Sequence, residues 1–534
     1  MNCLYIVVPY ENASLRVPIW AFEEKDIDFC REYDRALRCT MSFAAMELKK
    51  FLERTLDGVS VFFLEQQPKH GFFIDLQVEN YTTEKVQKDR LHLAKAELQE
   101  DQYIIEPVNS GVKITGTSRA GLLYGAYEFL KFQGWQWITP GETGEIVPQL
   151  RDNLVLPEKR IEFKPSMSLR RGFHMEGVSK ESEELCLWMA RNRLNNIGYR
   201  PATGPIAKKL GMYLQAGGHI FEEILNPDNV MPSGRTLWEE HTEWYGLPEN
   251  GIRKKENALG TQFCVSNEDL MEFLGAALLN LIMNEWKDAD QIDVWGFDTW
   301  GKTCTCEACT RIGNSSDQTL HFLSAMRQYL DKANAEGKLG HHVNLIMCIY
   351  EGTATLQPPM NPIPANLHES GDFVTFFPIN RCYAHDLFDD VCEDNRKYHE
   401  AIIDWLNCEP SIPLIVCEYY NVSKFEDLPL LFNTRLERDL PAYYKHGVRG
   451  MYYMHVPMVN WGMRTVTQNL FAALSWDEAL DVPMFVENYY TAWYGPYAPH
   501  MKEVYELVER AWKFCAQWRA WASDSVLSAL QRWT

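Results

Sequence analysis

A single carboxylate stands between two tryptophans where an apolar segment of the sequence ends. Residues 294–300, VWGFDTW, read as a buried strand that delivers Asp298 to the beginning of a loop, with Trp295 and Trp300 on either side. The aromatic faces suit the C–H face of a pyranose, and a positioned carboxyl group can transfer a proton. This pattern is typical of barrels that cleave carbohydrates, so the sequence predicts a catalytic role for Asp298.

The residues upstream of Asp298 indicate the topology that positions it. Residues 262–265 read as a short buried strand, and Asn267 reads as part of the N-cap of a helix whose apolar stripe runs from Leu270 to Ile282. A strand, a helix and a second strand in this order form a parallel unit. Active groups on parallel α/β sheets gather at the carboxyl ends of the strands, and Asp298 lies at such an end.

Strands and helices alternate from about residue 165 onward, which favours an α/β fold with a (β/α)₈ TIM-like barrel. The candidate strands are 168–173, 195–199, 211–215, 262–265, 292–297, 343–350, 373–377, 414–419 and 450–454. There is one candidate more than the eight positions of such a barrel. We expect a small α+β domain over residues 1–160, the barrel over 161–465 and a helical region over 466–534.

Several candidate strands end in side chains that can grip or cleave a sugar. Glycoside cleavage uses two acids, and Glu418 is the expected partner of Asp298, with Glu351 and Glu176 in reserve. The candidate substrate-binding residues are Arg171, His219, Trp300, Tyr350, Arg381, His385, Tyr419 and Trp461. If the barrel forms, all of them converge on one end of it.

Three cysteines, Cys304, Cys306 and Cys309, follow Asp298 closely. A structural zinc site, reduced packing thiols and a disulfide all fit this spacing, and no fourth zinc ligand is apparent. Cys382 and Cys392 flank His385 on another loop and could complete either arrangement. We expect no metal in the catalytic site itself.

The composition limits the functions that remain. The formal net charge of -21 argues against a nucleic-acid partner, and no apolar run is long enough to predict a membrane span. No phosphate-binding glycine motif follows a strand, so no nucleotide cofactor is expected. Scattered cysteines and a start without a signal-peptide pattern favour a cytoplasmic protein. The oligomeric state is not indicated.

The first 160 residues carry a further motif. Residues 116–121, GTSRAG, precede a Gly-punctuated helix at 124–130 and the segment GWQW at 134–137. Taken alone, these residues indicate a helix packed on a sheet. The combination resembles the small N-terminal domain that precedes the catalytic barrel in hexosaminidases, α-glucuronidases and their relatives.

Nearly the whole chain resembles a larger family. Its motifs are residues 298–309 with their C-x-C-x-x-C spacing, Gly218-His219, 381–385, 392–395, 418–420 and 493–496. They resemble the group called domain of unknown function 4838, some members of which form glycoside hydrolase family 163. The resemblance implies a β-N-acetylglucosaminidase acting on N-glycan oligosaccharides, on a barrel akin to that of hexosaminidases.

The resemblance also suggests a mechanism. Hexosaminidases carry two adjacent acids after their fourth strand, whereas Asp298 is followed by Thr299. Asp298 would then orient the substrate's acetamido group, Glu418 would act as general acid, and the reaction would retain configuration through an oxazolinium. The alternatives are a glycosidase for another sugar, such as a uronide held by Arg171 and Arg381, a non-catalytic carbohydrate-binding barrel, and a metal-dependent hydrolase.

Overall fold

The structure is a computed structural model that describes residues 3–79, 81–82, 86, 101–171, 182–420, 431–453 and 462–512. It contains an N-terminal sheet, an eight-stranded parallel barrel and a set of C-terminal helices. No helix of these residues is long and apolar enough to cross a membrane.

The N-terminal sheet is mixed and is covered by helices. Its strands are β1 (Cys3–Val7), β2 (Ser60–Leu64), β3 (Phe72–Val78), β4 (Tyr103–Val108), β5 (Gly111–Gly116) and β8 (Ile161–Phe163), in the order β2-β1-β3-β5-β4-β8. The helices are α1 (Ala13–Trp20), α2 (Tyr33–Leu52) and α3 (Arg119–Phe132). The strands β6 (Gln136–Trp137) and β7 (Glu145–Ile146) pair antiparallel in a separate two-stranded sheet. Ser118 caps α3 by accepting the N–H of Gly121 at 3.1 Å, and Gly125 allows the helix to lie directly on β5 because a Cβ there would come within 2.6 Å of Ile114.

The barrel confirms the predicted fold class. Its strands are β9 (Leu169–Arg171), β10 (Asn196–Gly198), β11 (Tyr213–Gly218), β12 (Gln291–Val294), β13 (Asn344–Ile349), β14 (Phe373–Phe376), β15 (Leu414–Glu418) and β16 (Gly450–Tyr453). All neighbouring pairs from β10 to β16, and β16 with β9, are parallel. At the seam between β9 and β10, Asn195 N–H donates to Arg170 O at 3.0 Å. All residues of β12, β13, β14 and β15 are buried, and most of them are apolar, as expected for strands that are covered on both faces.

Helices pack around the barrel and continue past it. They are α4 (Ser182–Arg191), α5 (Gly204–Lys209), α6 (Phe221–Ile224), α7 (Leu237–Glu240), α8 (Glu268–Asn284), α9 (Glu307–Ile312), α10 (Ser315–Ala335), α11 (Ala365–Glu369), α12 (Glu393–Leu406), α13 (Asn433–Lys445), α14 (Thr465–Trp476), α15 (Val482–Tyr494) and α16 (Ala498–Trp512). Asn267 caps α8 as expected, since its side chain accepts the N–H of Leu270 at 2.9 Å.

One predicted strand is wrong. Residues 262–265 have no strand structure, because β11 pairs directly with β12 and leaves no place between them. The segment is apolar for another reason. The ring of Phe263 is buried and lies with its centroid 5.2 Å from that of Phe297 and 4.9 Å from that of Phe322. Burial in the core, which periodicity cannot separate from strand formation in so short a run, explains the error.

A buried ion pair ties α10 to the amino-terminal end of the barrel. Arg327 Nε lies 2.8 Å from Asp372 Oδ2, and Arg327 Nη2 donates to Val343 O at 2.7 Å. Asp372 also accepts the N–H of Leu345 at 2.7 Å and is fully buried. Burial raises the pKa of this carboxyl group, although the charge of Arg327 opposes the shift.

We expect Asp372→Asn to lower the free energy of unfolding by about 3–5 kcal/mol, because it leaves the buried Arg327 charge with only the half-exposed Asp331, 3.4 Å away, as a partner. Thermal melting followed by circular dichroism measures the effect. The control is Glu336→Gln, which breaks the exposed pair with Lys338 and should leave the melt unchanged. Equal melts for the two variants would contradict a structural role for the Arg327–Asp372 pair.

Candidate active site

The carboxyl ends of the barrel strands form one rim, here called the mouth, and Asp298 stands on it four residues after β12. The backbone on both sides of Asp298 is fixed by the side-chain amide of Gln262, which accepts the N–H of Phe297 at 2.9 Å and donates to Phe297 O at 2.5 Å and to Thr299 Oγ1 at 3.2 Å. The carboxyl group itself packs on Gly352, where a Cβ would come within 2.1 Å of Asp298 Oδ1. Asp298 is therefore held by its neighbours while its side chain remains exposed at the mouth.

A second carboxylate lies beside Asp298. Glu222, in the short helix α6 after β11, accepts the N–H of Asp298 on Oε1 at 2.8 Å. Burial raises the pKa of Asp298, the charge of His219 lowers it and the charge of Glu222 raises it again, with a net shift upward. His219 is fixed by Nδ1, which lies 2.6 Å from Gly296 O. The mouth thus joins two carboxyl groups and one imidazole from neighbouring strands.

Aromatic rings form a continuous arc along the mouth. The ring centroids of consecutive pairs are 5.1 Å apart for His219 and Trp295, 5.2 Å for Trp295 and Phe377, 6.1 Å for Phe377 and Tyr350, and 5.7 Å for Tyr350 and Trp300. Tyr419 joins the arc through Phe377 at 6.3 Å. Phe377, Tyr350 and Tyr419 are buried and support the arc from below, whereas Trp300, which is exposed, and the half-buried Trp295 can stack against a pyranose ring.

Trp300 contributes the exposed end of this arc. Its side chain is 44% exposed, and its backbone adopts a left-handed conformation with φ 57°. Its N–H donates to Gly352 O at 2.8 Å, which fixes this conformation. A non-glycine residue in this region is uncommon, and strained residues of this kind cluster at functional sites.

Glu418 occupies a different position from the one expected. It ends β15, but its side chain is fully buried and contacts Arg381, Tyr443 and Tyr383, whose hydroxyl donates to Glu418 Oε2 at 2.7 Å. Arg381 also pairs with Asp439 at 2.9 Å. Burial raises the pKa of Glu418, and the charge of Arg381 opposes this shift. Neither Glu418 nor Arg381 presents its polar atoms to the mouth, because the two side chains bind each other.

Glu351, the reserve acid after β13, is also bound by its neighbours. Lys397 Nζ lies 2.5 Å from Oε1, and Asn380 Nδ2 donates to Oε2 at 2.7 Å together with the hydroxyl of Tyr398. Burial raises the pKa of Glu351, but these three donors outweigh it and the net pKa lies below the ordinary value. Glu351 is therefore an ionised, anchored carboxylate.

Arg171 lies inside the barrel, below the mouth. Its guanidinium group is 5.3 Å from the ring centroid of Tyr452, and its charge acts on Asp293. Asp293 is buried in β12, where Gln215 Nε2 donates to both carboxylate oxygens at 2.8 Å. Burial raises the pKa of Asp293 to about 7, against the opposing charge of Arg171. This titratable interior group could not be separated from an ordinary buried strand residue in the sequence.

The remaining predicted residues lie elsewhere. His385 is exposed on the loop after β14, with Nδ1 3.3 Å from Cys382 Sγ. Trp461 and Glu176 lie outside the described residues. Glu222 was missed because its proximity to Asp298 depends on the pairing of β11 with β12. Its one sequence signal is the position three residues after His219.

Two solved structures with TM-scores above 0.5 share the fold of this chain. A family GH115 4-O-methyl-α-glucuronidase, BtGH115A, with specificity for decorated arabinogalactans, matches with a TM-score of 0.51 and 12% identity over 88% of this chain and 60% of its own. A GH138 enzyme targeting pectin rhamnogalacturonan II matches with a TM-score of 0.54 and 10% identity over 96% of this chain and 55% of its own. The chain therefore spans less than two thirds of either protein. Streptomyces plicatus N-acetyl-β-hexosaminidase matches with a TM-score of 0.49 and 12% identity, over 95% of this chain and 91% of its own.

The sequence matches two family profiles but no curated protein. Residues 34–129 match the glycosyl hydrolase family 67 N-terminus, in agreement with the motif around α3. Residues 139–506, which include all eight barrel strands, match the domain of unknown function 4838. The chain accordingly belongs to the DUF4838 family.

Proposed function

We propose that this protein is a glycoside hydrolase whose general acid is Asp298. The observation that carries the proposal is the hydrogen bond from the backbone N–H of Asp298 to the Glu222 carboxylate, which places two acids side by side at the mouth, beside the arc of aromatic rings. The structures of similar fold, described as a glucuronidase and a pectin-targeting enzyme, support the same class of reaction. A barrel that only bound carbohydrate would need the rings but not the two acids.

The roles of the acids follow from their surroundings. A general acid must hold a proton at working pH, and the raised pKa of Asp298 suits that task. Burial is the main cause of this raised pKa, and the charge of Glu222 adds to it. Glu222 also supplies the second carboxylate that glycoside cleavage requires. This assignment replaces the expectation that Glu418 is the acid. Glu418 is instead a positioning residue, because it holds Arg381 and Tyr383 beneath the mouth.

We propose a neutral β-N-acetylglucosaminide as substrate, cleaved with retention by attack of its own 2-acetamido oxygen. The charges near the mouth support a neutral sugar over an acidic one. Arg381 is fully buried and already paired with Glu418 and Asp439, so it is not available to a substrate carboxylate without breaking these contacts. Arg171 is also buried, and its charge already acts on the buried Asp293. The retaining reaction then needs Glu222 to bind the acetamido N–H and balance the developing cation.

A uronide is the second candidate. It is favoured by the match of residues 34–129 to the family 67 N-terminus and by the α-glucuronidase among the structures of similar fold. The two candidates differ in the charge and the C2 substituent of the sugar, so one substrate series separates them.

Aryl β-N-acetylglucosaminides should be hydrolysed by the purified protein, and aryl glucosides and glucuronides should be nearly inert, because the proposed nucleophile belongs to the substrate. Initial rates on matched aryl glycosides measure the preference, and proton NMR of the first anomer measures the stereochemistry. Retention of the anomeric configuration, together with strong inhibition by a thiazoline analogue, would support participation of the acetamido group. Faster turnover of a glucuronide would favour the uronide, and an inverted product would exclude acetamido participation.

Asp298→Asn should lower kcat by about 10² to 10⁴-fold on substrates with poor leaving groups, the usual contribution of a positioned acid. A dinitrophenyl glycoside needs little protonation of its leaving group, so its rate should change far less. Steady-state kinetics on both substrates provide the measurement. Equal losses would assign Asp298 to orienting the acetamido group, as the resemblance implied.

Glu222→Gln should move the alkaline limb of the kcat/KM profile to lower pH. The general acid works in its protonated form, so activity is lost as pH rises through the pKa of Asp298. Removing the charge of Glu222 removes one cause that raises this pKa. The control is Glu223→Gln, the exposed neighbour in α6. A limb that does not move, with kcat unchanged, would remove Glu222 from the site.

A further inference from the structure

Four cysteine sulfurs from two separate segments meet beside the Asp298 loop. Cys304, Cys306 and Cys309 follow β12, and Cys264 comes from the irregular segment before α8. The four sulfurs all lie within 4.8 Å of one another. Cys264 is the fourth ligand that the sequence did not reveal, because forty residues separate it from the C-x-C-x-x-C motif.

The distances fit a tetrahedral metal centre. Cys264 Sγ lies 3.7 Å from Cys306 Sγ and 3.8 Å from Cys309 Sγ. Zinc bonds thiolate sulfur at about 2.3 Å, and a tetrahedron with that bond length has edges of about 3.8 Å. A disulfide requires a sulfur separation of about 2.05 Å, so the observed separations leave all four cysteines unlinked.

Hydrogen-bond donors surround the sulfurs. The N–H of Leu247 donates to Cys304 Sγ at 3.3 Å, and the N–H of Cys309 donates to Cys306 Sγ at 3.4 Å. The hydroxyl of Ser266 lies 3.4 Å from Cys264 Sγ, to which it can donate, and it accepts the S–H of Cys309 at 3.2 Å. Such donors stabilise thiolates and orient metal ligands, whereas neutral thiols packed in a core do not need them.

We propose that Cys264, Cys304, Cys306 and Cys309 bind one Zn²⁺ as a structural site. Four protein ligands complete the tetrahedron and leave no position for water or substrate, which distinguishes a structural zinc from a catalytic one. Cys264 comes before β12 in the chain and the other three cysteines come after it, so the metal joins the segment before α8 to the loop before α9 and to α9 itself.

The four-cysteine site also lies next to the residues that support the loop carrying Asp298. Gln262, which holds the backbone around Asp298, is two residues before Cys264, and Cys304 is six residues after Asp298. The metal therefore fixes the segment that contains Gln262 and also the end of the loop that follows Asp298. The effect on catalysis rests on the proposed function, whereas metal binding and its effect on stability do not.

A second group of possible ligands provides an internal control. Cys382, His385 and Cys392 also lie within 4.8 Å of one another, but they offer three ligands and His385 is exposed. Substitution there tests whether any bound zinc belongs to the four-cysteine site.

Metal analysis of the full chain, purified without chelator, should find zinc that survives dialysis. Cys264→Ser and Cys309→Ser should each lose it and melt at a lower temperature, whereas Cys382→Ser should keep it. Cobalt exchanged into the wild-type protein should show the thiolate charge-transfer and tetrahedral d–d absorption of a four-sulfur site, a readout that does not depend on whether the variants fold.

Wild-type protein that stays metal-free after growth with added zinc, and whose melt is unchanged by zinc or by a strong chelator, would overturn the site. The site would also be overturned if the Cys382→Ser variant lost its zinc while the Cys264→Ser variant kept it. A zinc-loaded protein in which Asp298→Asn retains full turnover on a confirmed glycoside would overturn the proposed function and leave the metal site standing.

Discussion

The in-register pairing of eight parallel strands decides where the functional side chains of this protein stand. Gly218 pairs with Val294, so the chain segments that leave β11 and β12 run side by side at the mouth. Glu222 can therefore accept the N–H of Asp298, although 76 residues separate them. Helix packing and loop capping refine these positions, but the strand register brings the two acids together.

The sequence predicted the barrel well because its strands are buried on both faces and leave a strong apolar signal. The same apolar signal wrongly predicted a strand at residues 262–265, where Phe263 packs into the core but the backbone does not form a strand. The position of Asp298 at the mouth could be predicted because it follows a buried strand and its aromatic neighbours are adjacent in the chain. Glu222 and Cys264 could not, since their roles depend on contacts between distant segments that no local pattern records.

Glu418 shows why a carboxylate at a strand end is an uncertain guide to catalysis. Burying a charge is costly unless a partner compensates it, and Arg381 with two tyrosine hydroxyls provides that compensation. Asp298, by contrast, keeps its side chain at the exposed edge of the mouth, where it can meet a ligand. The difference lies in which groups surround each carboxylate, and the position along the strand does not reveal it.

The left-handed backbone of Trp300 has a consequence for how this protein can be improved. A residue with a Cβ in that region costs about 1–3 kcal/mol, whereas glycine would adopt the same φ without strain. Glycine, however, would remove the exposed end of the aromatic arc. Stability and the exposed aromatic surface therefore compete at one position, and selection for thermal resistance alone would favour loss of the tryptophan ring.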